Sequence, residues 1–180
     1  MVMALIFFKK IFFFEKSNQL EKEKLIDEKL LGKSSNNLIK NLKYEITLKQ
    51  NTNYTIESDF AELITINENE KIKMFLVKAK YMDEKKIPLI IKSQAAYYNN
   101  SNHNTLFEEN ISIEYLNNKI FSDQLELNFT DNTIKISQNV KFIGEFSSLE
   151  TDNIIINLIT KKIYIYMNDQ NKKVEVNINK

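Results

Sequence analysis

The sequence predicts an all-β domain, an antiparallel sheet folded or closed on itself, preceded by a short apolar and partly helical N-terminal segment. Three observations predict it. Between Asn110 and Met167 one pattern is stated twice at a constant offset of 29 residues (139 − 110, 152 − 123, 163 − 134). Asn110-Ile111-Ser112-Ile113 returns as Asn139-Val140-Lys141-Phe142, Ser122-Asp123-Gln124-Leu125-Glu126-Leu127-Asn128-Phe129 as Thr151-Asp152-Asn153-Ile154-Ile155-Ile156-Asn157-Leu158, and Ile134-Lys135-Ile136 as Ile163-Tyr164-Ile165. A fixed period of this size marks stacked supersecondary units that share one core. Within each unit apolar residues take alternate positions, the period of a strand with one buried face. After residue 41 no segment carries helical periodicity.

Taken in order, residues 1–14 are apolar apart from Lys9 and Lys10. They are too few for a spanning helix, which needs roughly 20 residues, and read either as an interfacial or disordered end or, the favoured reading, as the outer end of a membrane anchor. Residues 15–41 form a charged connector in which Asn18 and Glu21 suit a helix cap and Gly32 a helix stop. From 42 to 180 the alternation takes over. Strands are expected at 42–49, 53–58, 60–67, 71–81, 87–93, 95–98, 105–107, 110–115, 119–122, 124–129, 133–137, 139–144, 148–151, 153–158, 162–167 and 173–178. Short links such as Thr130-Asp131-Asn132-Thr133 suit hairpins. A fainter third copy lies upstream, with Ile91, Ser93, Ala96 and Tyr98 standing for Ile120, Ser122, Leu125 and Leu127.

Composition narrows the function classes. A formal charge of +1 with lysines and carboxylates interspersed gives no field of one sign, which argues against nucleic acid as a partner. The chain holds no cysteine, so disulfides, thiolate metal sites and cysteine nucleophiles are excluded. With only two glycines and one proline, turns must rest on Asn, Asp, Ser and Lys.

Signals for catalysis, cofactors or metals are weak, and neither an enzyme nor a cofactor is expected. Gly32-Lys33-Ser34 resembles the end of a phosphate-binding loop, but Asp27 stands where that loop needs glycine. His103 lies in the polar run from Asn99 to Asn104 and reads as part of a solvated turn. Asp123 and Asp152 occupy the same place in successive repeats, so each is expected to close a corner by accepting from backbone N–H groups.

The inward-facing set is expected to be Leu125, Leu127, Phe129, Ile134, Ile136, Val140, Phe142, Ile154, Ile156, Leu158, Ile163 and Ile165, with Ile111 and Ile113 on the strand before. From the less regular half come Phe75, Val77, Ala96 and Tyr98. An alternating apolar face is ordinarily core. Repetition of long aliphatic residues layer after layer also suits a trough for acyl chains, each buried methylene contributing about 0.8 kcal/mol. The ends of such a stack present unpaired strand edges to a partner. Val174, Val176 and Ile178, alternating with Glu175 and Asn177, form a candidate edge strand.

The runs Asn41-Leu42-Lys43-Tyr44-Glu45, Tyr54-Thr55-Ile56-Glu57-Ser58-Asp59-Phe60-Ala61-Glu62-Leu63, Ile91-Lys92-Ser93-Gln94-Ala95-Ala96-Tyr97-Tyr98-Asn99 and Phe121-Ser122-Asp123-Gln124-Leu125-Glu126-Leu127-Asn128-Phe129 resemble the LptC family of lipopolysaccharide export components and the wider OstA-like group. The resemblance covers residues 40–178 and rests on the order of parts. It implies an open β-jellyroll in the periplasm, held to the inner membrane by a single N-terminal pass. It further implies that lipopolysaccharide is received from an ABC transporter with LptF/LptG-like permeases, carried in an apolar groove, and passed to an LptA-like bridge by edge-strand contact. The alternative reading is a periplasmic strand-stacking adaptor with a solid interior and no lipid groove of its own.

Overall fold

The computed structural model describes residues 38–48, 52–66, 69–82 and 87–178. The apolar stretch 1–14, residues 15–37 of the connector, its expected helix and Gly32-Lys33-Ser34 lie outside them. Among the described residues every regular element is a strand, and no helix is long and apolar enough to cross a membrane.

Ten strands form one antiparallel sheet: β1 (Leu38–Thr47), β2 (Asn53–Ile66), β3 (Asn69–Met82), β4 (Pro88–Tyr98), β5 (Thr105–Tyr115), β6 (Asn118–Asn128), β7 (Thr133–Ile143), β8 (Ser147–Asn157), β9 (Ile163–Tyr166) and β10 (Glu175–Ile178). Each of the first eight pairs with its neighbour in sequence. Beyond them the edge of β8 is shared: β9 pairs with Asn153–Ile156 and β10 with Ser147–Glu150. The first strand starts at Leu38, so the sheet reaches into the expected connector.

Sixteen expected strands become ten because six of the expected breaks are corners inside continuous strands, one each in β2, β4, β5, β6, β7 and β8. At the corner, pairing skips Asn41 and Asp59 between β1 and β2, then Leu76 and Gln94 between β3 and β4. It skips Glu109 and Asn110 on β5, Ser122 and Asp123 against β7, and Gln138, Asn139 and Asp152 between β7 and β8. The corner residues alternate in kind. Odd strands turn through left-handed backbone at Asn41, Leu76, Glu109–Asn110 and Gln138–Asn139. Even strands place a buried Ser or Thr there, namely Ser58, Ser93, Ser122 and Thr151.

This row of corners divides the sheet into two leaves. The first leaf holds 42–47, 53–58, 77–82, 88–93, 111–115, 118–122, 140–143, 147–151 and β10; the second holds 38–40, 60–66, 69–75, 95–98, 105–108, 124–128, 133–137, 153–157 and β9. The leaves face one another, since Tyr44 and Tyr54 of the first touch Tyr98 and Thr105 of the second although the strands concerned are not neighbours. One apolar cluster joins them, from Tyr54 and Ile56 through Phe107 and Leu125 to Ile154. The third copy of the repeat is real in space: Ser93, Ser122 and Thr151 all sit at the corner, and Ala96 and Tyr98 lie in register with the inner rows of Leu125 and Leu127.

Candidate functional site

Cross-strand register lines the inner face with continuous rows. In the second leaf one row runs Ile39–Ala61–Met74–Ala96–Phe107–Leu125–Ile136–Ile154–Ile165, and beside it Leu63–Ile72–Tyr98–Thr105–Leu127–Ile134–Ile156–Ile163. The first leaf supplies Tyr44–Ile56–Ala79–Ile91–Ile113–Ile120–Phe142–Leu149–Val176. Paired residues of an antiparallel sheet share a face, which is why alternation in sequence becomes a stripe across strands.

Burial along these rows is uneven. Val77, Ala96, Tyr98, Ile111, Ile113, Leu125, Leu127, Ile134, Ile136, Val140 and Ile154 are all closed into the packed core, with Phe129, Ile156 and Leu158 half-buried against it. Phe142 is half-buried in its row. At the last strands the lining opens: Ile165 is 43% exposed, Ile163 59%, Val176 58% and Ile178 78%. Val174 lies just before β10 rather than in it. The expected trough is therefore filled by its own side chains over most of its length and solvated at its two ends, at Ile39 and Leu63 on β1 and β2 and, more extensively, along β9 and β10.

Phe75 corrects the expected lining. It is on the outer face, where the Lys73 ammonium stands 5.0 Å from its ring centroid. Ile72 and Met74 hold the inner positions, and the left-handed residue Leu76 shifts the alternation so that Val77 and Ala79 point inward beyond it.

Aromatic contacts close the leaves on the side away from the corner. Tyr44 stacks on Tyr98 with centroids 5.1 Å apart, and Tyr54 meets Phe129 edge-on at 5.1 Å. Tyr81 stacks on the same Phe129 at 6.2 Å. The Tyr54 hydroxyl lies 2.9 Å from Thr105 Oγ1, whose own hydroxyl reaches the His103 carbonyl at 3.1 Å. Burial pushes the Tyr54 phenol well up from its ordinary range, and burial, then Tyr44, pushes Tyr98 up to about 12. His103 is half-buried rather than freely solvated: its Nδ1 is 2.7 Å from the Tyr98 hydroxyl.

The corner carboxylates act locally. Asp152 Oδ2 accepts from the Asn168 backbone N–H at 2.8 Å, as its place in the repeat predicts. Asp123 Oδ2 accepts from the side-chain amide of Asn139, a residue of the neighbouring strand's corner, instead of from a backbone group. Among the hydroxyls, Ser93 donates to the Ala95 carbonyl at 2.8 Å and Thr151 to the Tyr166 carbonyl at 3.0 Å. Among the described residues no group of three or more His, Asp or Glu side chains is placed to hold a metal ion.

Sequence reasoning missed the aromatic closure and the inner residues Tyr54, Ile56, Ala61, Ile72, Met74, Ala79 and Phe107. Alternation at Tyr54-Thr55-Ile56 and Ile72-Lys73-Met74 was the available signal. The geometry defines a class: an antiparallel sheet bent into two facing leaves, with an apolar interior exposed at its last strands. No protein-family model and no curated protein matches the chain.

Proposed function

We propose that this chain is a lipid-transport component of the LptC kind. In this reading it takes lipopolysaccharide from an inner-membrane ABC transporter with LptF/LptG-like permeases and passes it to an LptA-like periplasmic bridge. A jellyroll of the OstA-like type, anchored at its N-terminus with the sheet in the periplasm, is the setting. The observation that carries the proposal is the set of apolar inner rows that run across the strands and stay uncovered at Ile163, Ile165 and Val176. An acyl chain laid along Phe142, Ile156, Leu158 and Ile163 would replace water there, at about 25 cal/mol per Å² of apolar surface covered. Among the described residues nothing pairs with the outer edges of β9 and β10, which makes them the natural place for the receiving strand.

A photo-crosslinker at Ile156 or Phe142 in cells is expected to capture lipopolysaccharide, and one at Asn128 is not. Capture from Asn128 with none from any inner position overturns the proposal. A strand-stacking adaptor without a lipid groove is the second reading, favoured by the closed interior around Leu125, Leu127 and Phe107. Deleting residues 174–180 separates the two, since an adaptor loses its complex with no lipid capture to lose.

A further inference from the structure

One face of the first leaf differs from the rest of the surface. On its outer side Lys78 of β3 stands directly opposite Lys92 of β4, and Lys80 is the next outward residue along β3. All three are exposed. Like charges directly opposite in a sheet repel, and Glu57, the carboxylate facing Lys78 from β2, is held by Lys43 at 3.3 Å. Among the described residues none of the three ammonium groups has a carboxylate partner.

The same face turns apolar across the strands, since Phe121 lies in the cross-strand row of Lys78 and Lys92, and Ile143 in that of Lys80. Phe121 and Ile143 are exposed on the outer side of β6 and β7, in a checkerboard with Lys119 and Lys141. Beyond them the β5–β6 and β7–β8 turns end in Leu116, 65% exposed, and Phe146, 68% exposed. The two turns lie at the same end of the leaf on adjoining strands, with Asn118 Oδ1 of β6 3.0 Å from where a Cβ on Gly144 would stand. Lys141 is neutralised by Glu150 at 3.1 Å, Lys119 stands opposite Glu114, and Glu145 adjoins Phe146, so the excess positive charge is concentrated at Lys78, Lys80 and Lys92, on β3 and β4 beside the apolar half of the face.

Large side chains bare to water at adjacent turns, backed by lysines without counter-charges, match what an anionic bilayer offers: an apolar layer under phosphates. We propose that this tip and the outer face behind it dock on an anionic phospholipid surface, Leu116 and Phe146 entering the headgroup boundary while Lys78, Lys80 and Lys92 meet phosphates. The charge complementarity selects a lipid surface of negative sign over a neutral one. This contact is independent of any lipid held between the leaves.

Because the chain contains no tryptophan, a single Phe146→Trp substitution is a clean reporter. With the full chain on vesicles of phosphatidylglycerol carrying brominated acyl chains, its fluorescence is expected to be quenched, and a Tyr164→Trp reporter on the other leaf is not. Adding Lys78→Glu and Lys92→Glu should lower the ratio of docked to undocked tip at least about 25-fold, each lysine near such a surface contributing about fivefold. Quenching should then match that on brominated phosphatidylcholine. An unquenched Phe146→Trp reporter, equal quenching of both reporters, or quenching indifferent to lipid charge and to the lysines overturns the proposal. Failure of the lipid-groove reading would instead show as lost crosslinking at Ile156 with the tip still quenched.

Discussion

Tyr54 and Thr105 are 51 residues apart in the chain and joined by a hydrogen bond of 2.9 Å that ties one leaf of the bent sheet to the other. Both groups are buried, so the bond forms where water cannot replace it. Tyr54→Phe keeps the ring on Phe129 and removes only the hydroxyl. It should lower stability by about 1 kcal/mol and the melting temperature by about 2–4 °C. Thermal unfolding followed by circular dichroism checks this, and an unchanged midpoint would mean the leaves do not rely on that bond.

The raised phenol of Tyr98 fixes a sign for alkaline stability. Folding holds its proton more tightly than the unfolded chain does, so the stabilisation is complete below the ordinary tyrosine value of 10.0 and is lost as pH rises through about 12. Urea midpoints should hold steady up to pH 10 and then fall. Tyr98→Phe should make that fall shallower, and an identical pH profile in the variant would contradict the assignment.

Burial differs sharply within one cross-strand row, and truncation should report it. Ile136→Ala empties a closed position and should cost about 2–5 kcal/mol. Ile165→Ala, two strands further along the same row, removes a side chain already open to solvent and should cost less than about 1 kcal/mol. Chemical denaturation of both variants measures the contrast; equal losses would mean that the β9 end is covered.

Asn139 combines a left-handed backbone, φ 54°, with a side-chain bond to Asp123. Asn139→Gly relieves the backbone constraint but loses the bond, whereas Asn139→Ala loses both advantages. Alanine should therefore be the more destabilising by about 1 kcal/mol. If glycine were as harmful, the bond rather than the backbone would govern this corner.

Much of the fold was legible because face and sequence parity coincide over long runs. Leu125-Glu126-Leu127 and Ile134-Lys135-Ile136 announce both strand and inner face, and the 29-residue offset places Ser93, Ser122 and Thr151 at one structural position. The corners explain what was not legible. A break in alternation at Ser122-Asp123 looks the same whether the strand ends or bends, so bent strands read as pairs of short ones. Leu76 reverses the parity of β3 without any glycine, proline or asparagine to mark it, so alternation carried through it from Val77 puts Phe75 on the wrong side. The closure by Tyr44, Tyr54, Tyr81 and Phe129 depends on contacts between non-neighbouring strands, which local pattern does not encode. The tip residues Leu116 and Phe146 are single large side chains in polar turns, visible in the sequence yet meaningless until the two turns are seen to lie at one end of the same leaf.

The alternation of corner types restricts how a chain of this kind can change length. On β4, β6 and β8 the inner positions lie three apart across the corner, as at Ser122 and Leu125, so one residue gained or lost between turn and corner would send every later side chain of that arm to the opposite face. A block holding two complete strands, about the size of the recurring segment here, can be added or removed with all remaining orientations intact. Growth or shortening by whole modules is therefore the tolerant route, and small insertions are confined to the tips.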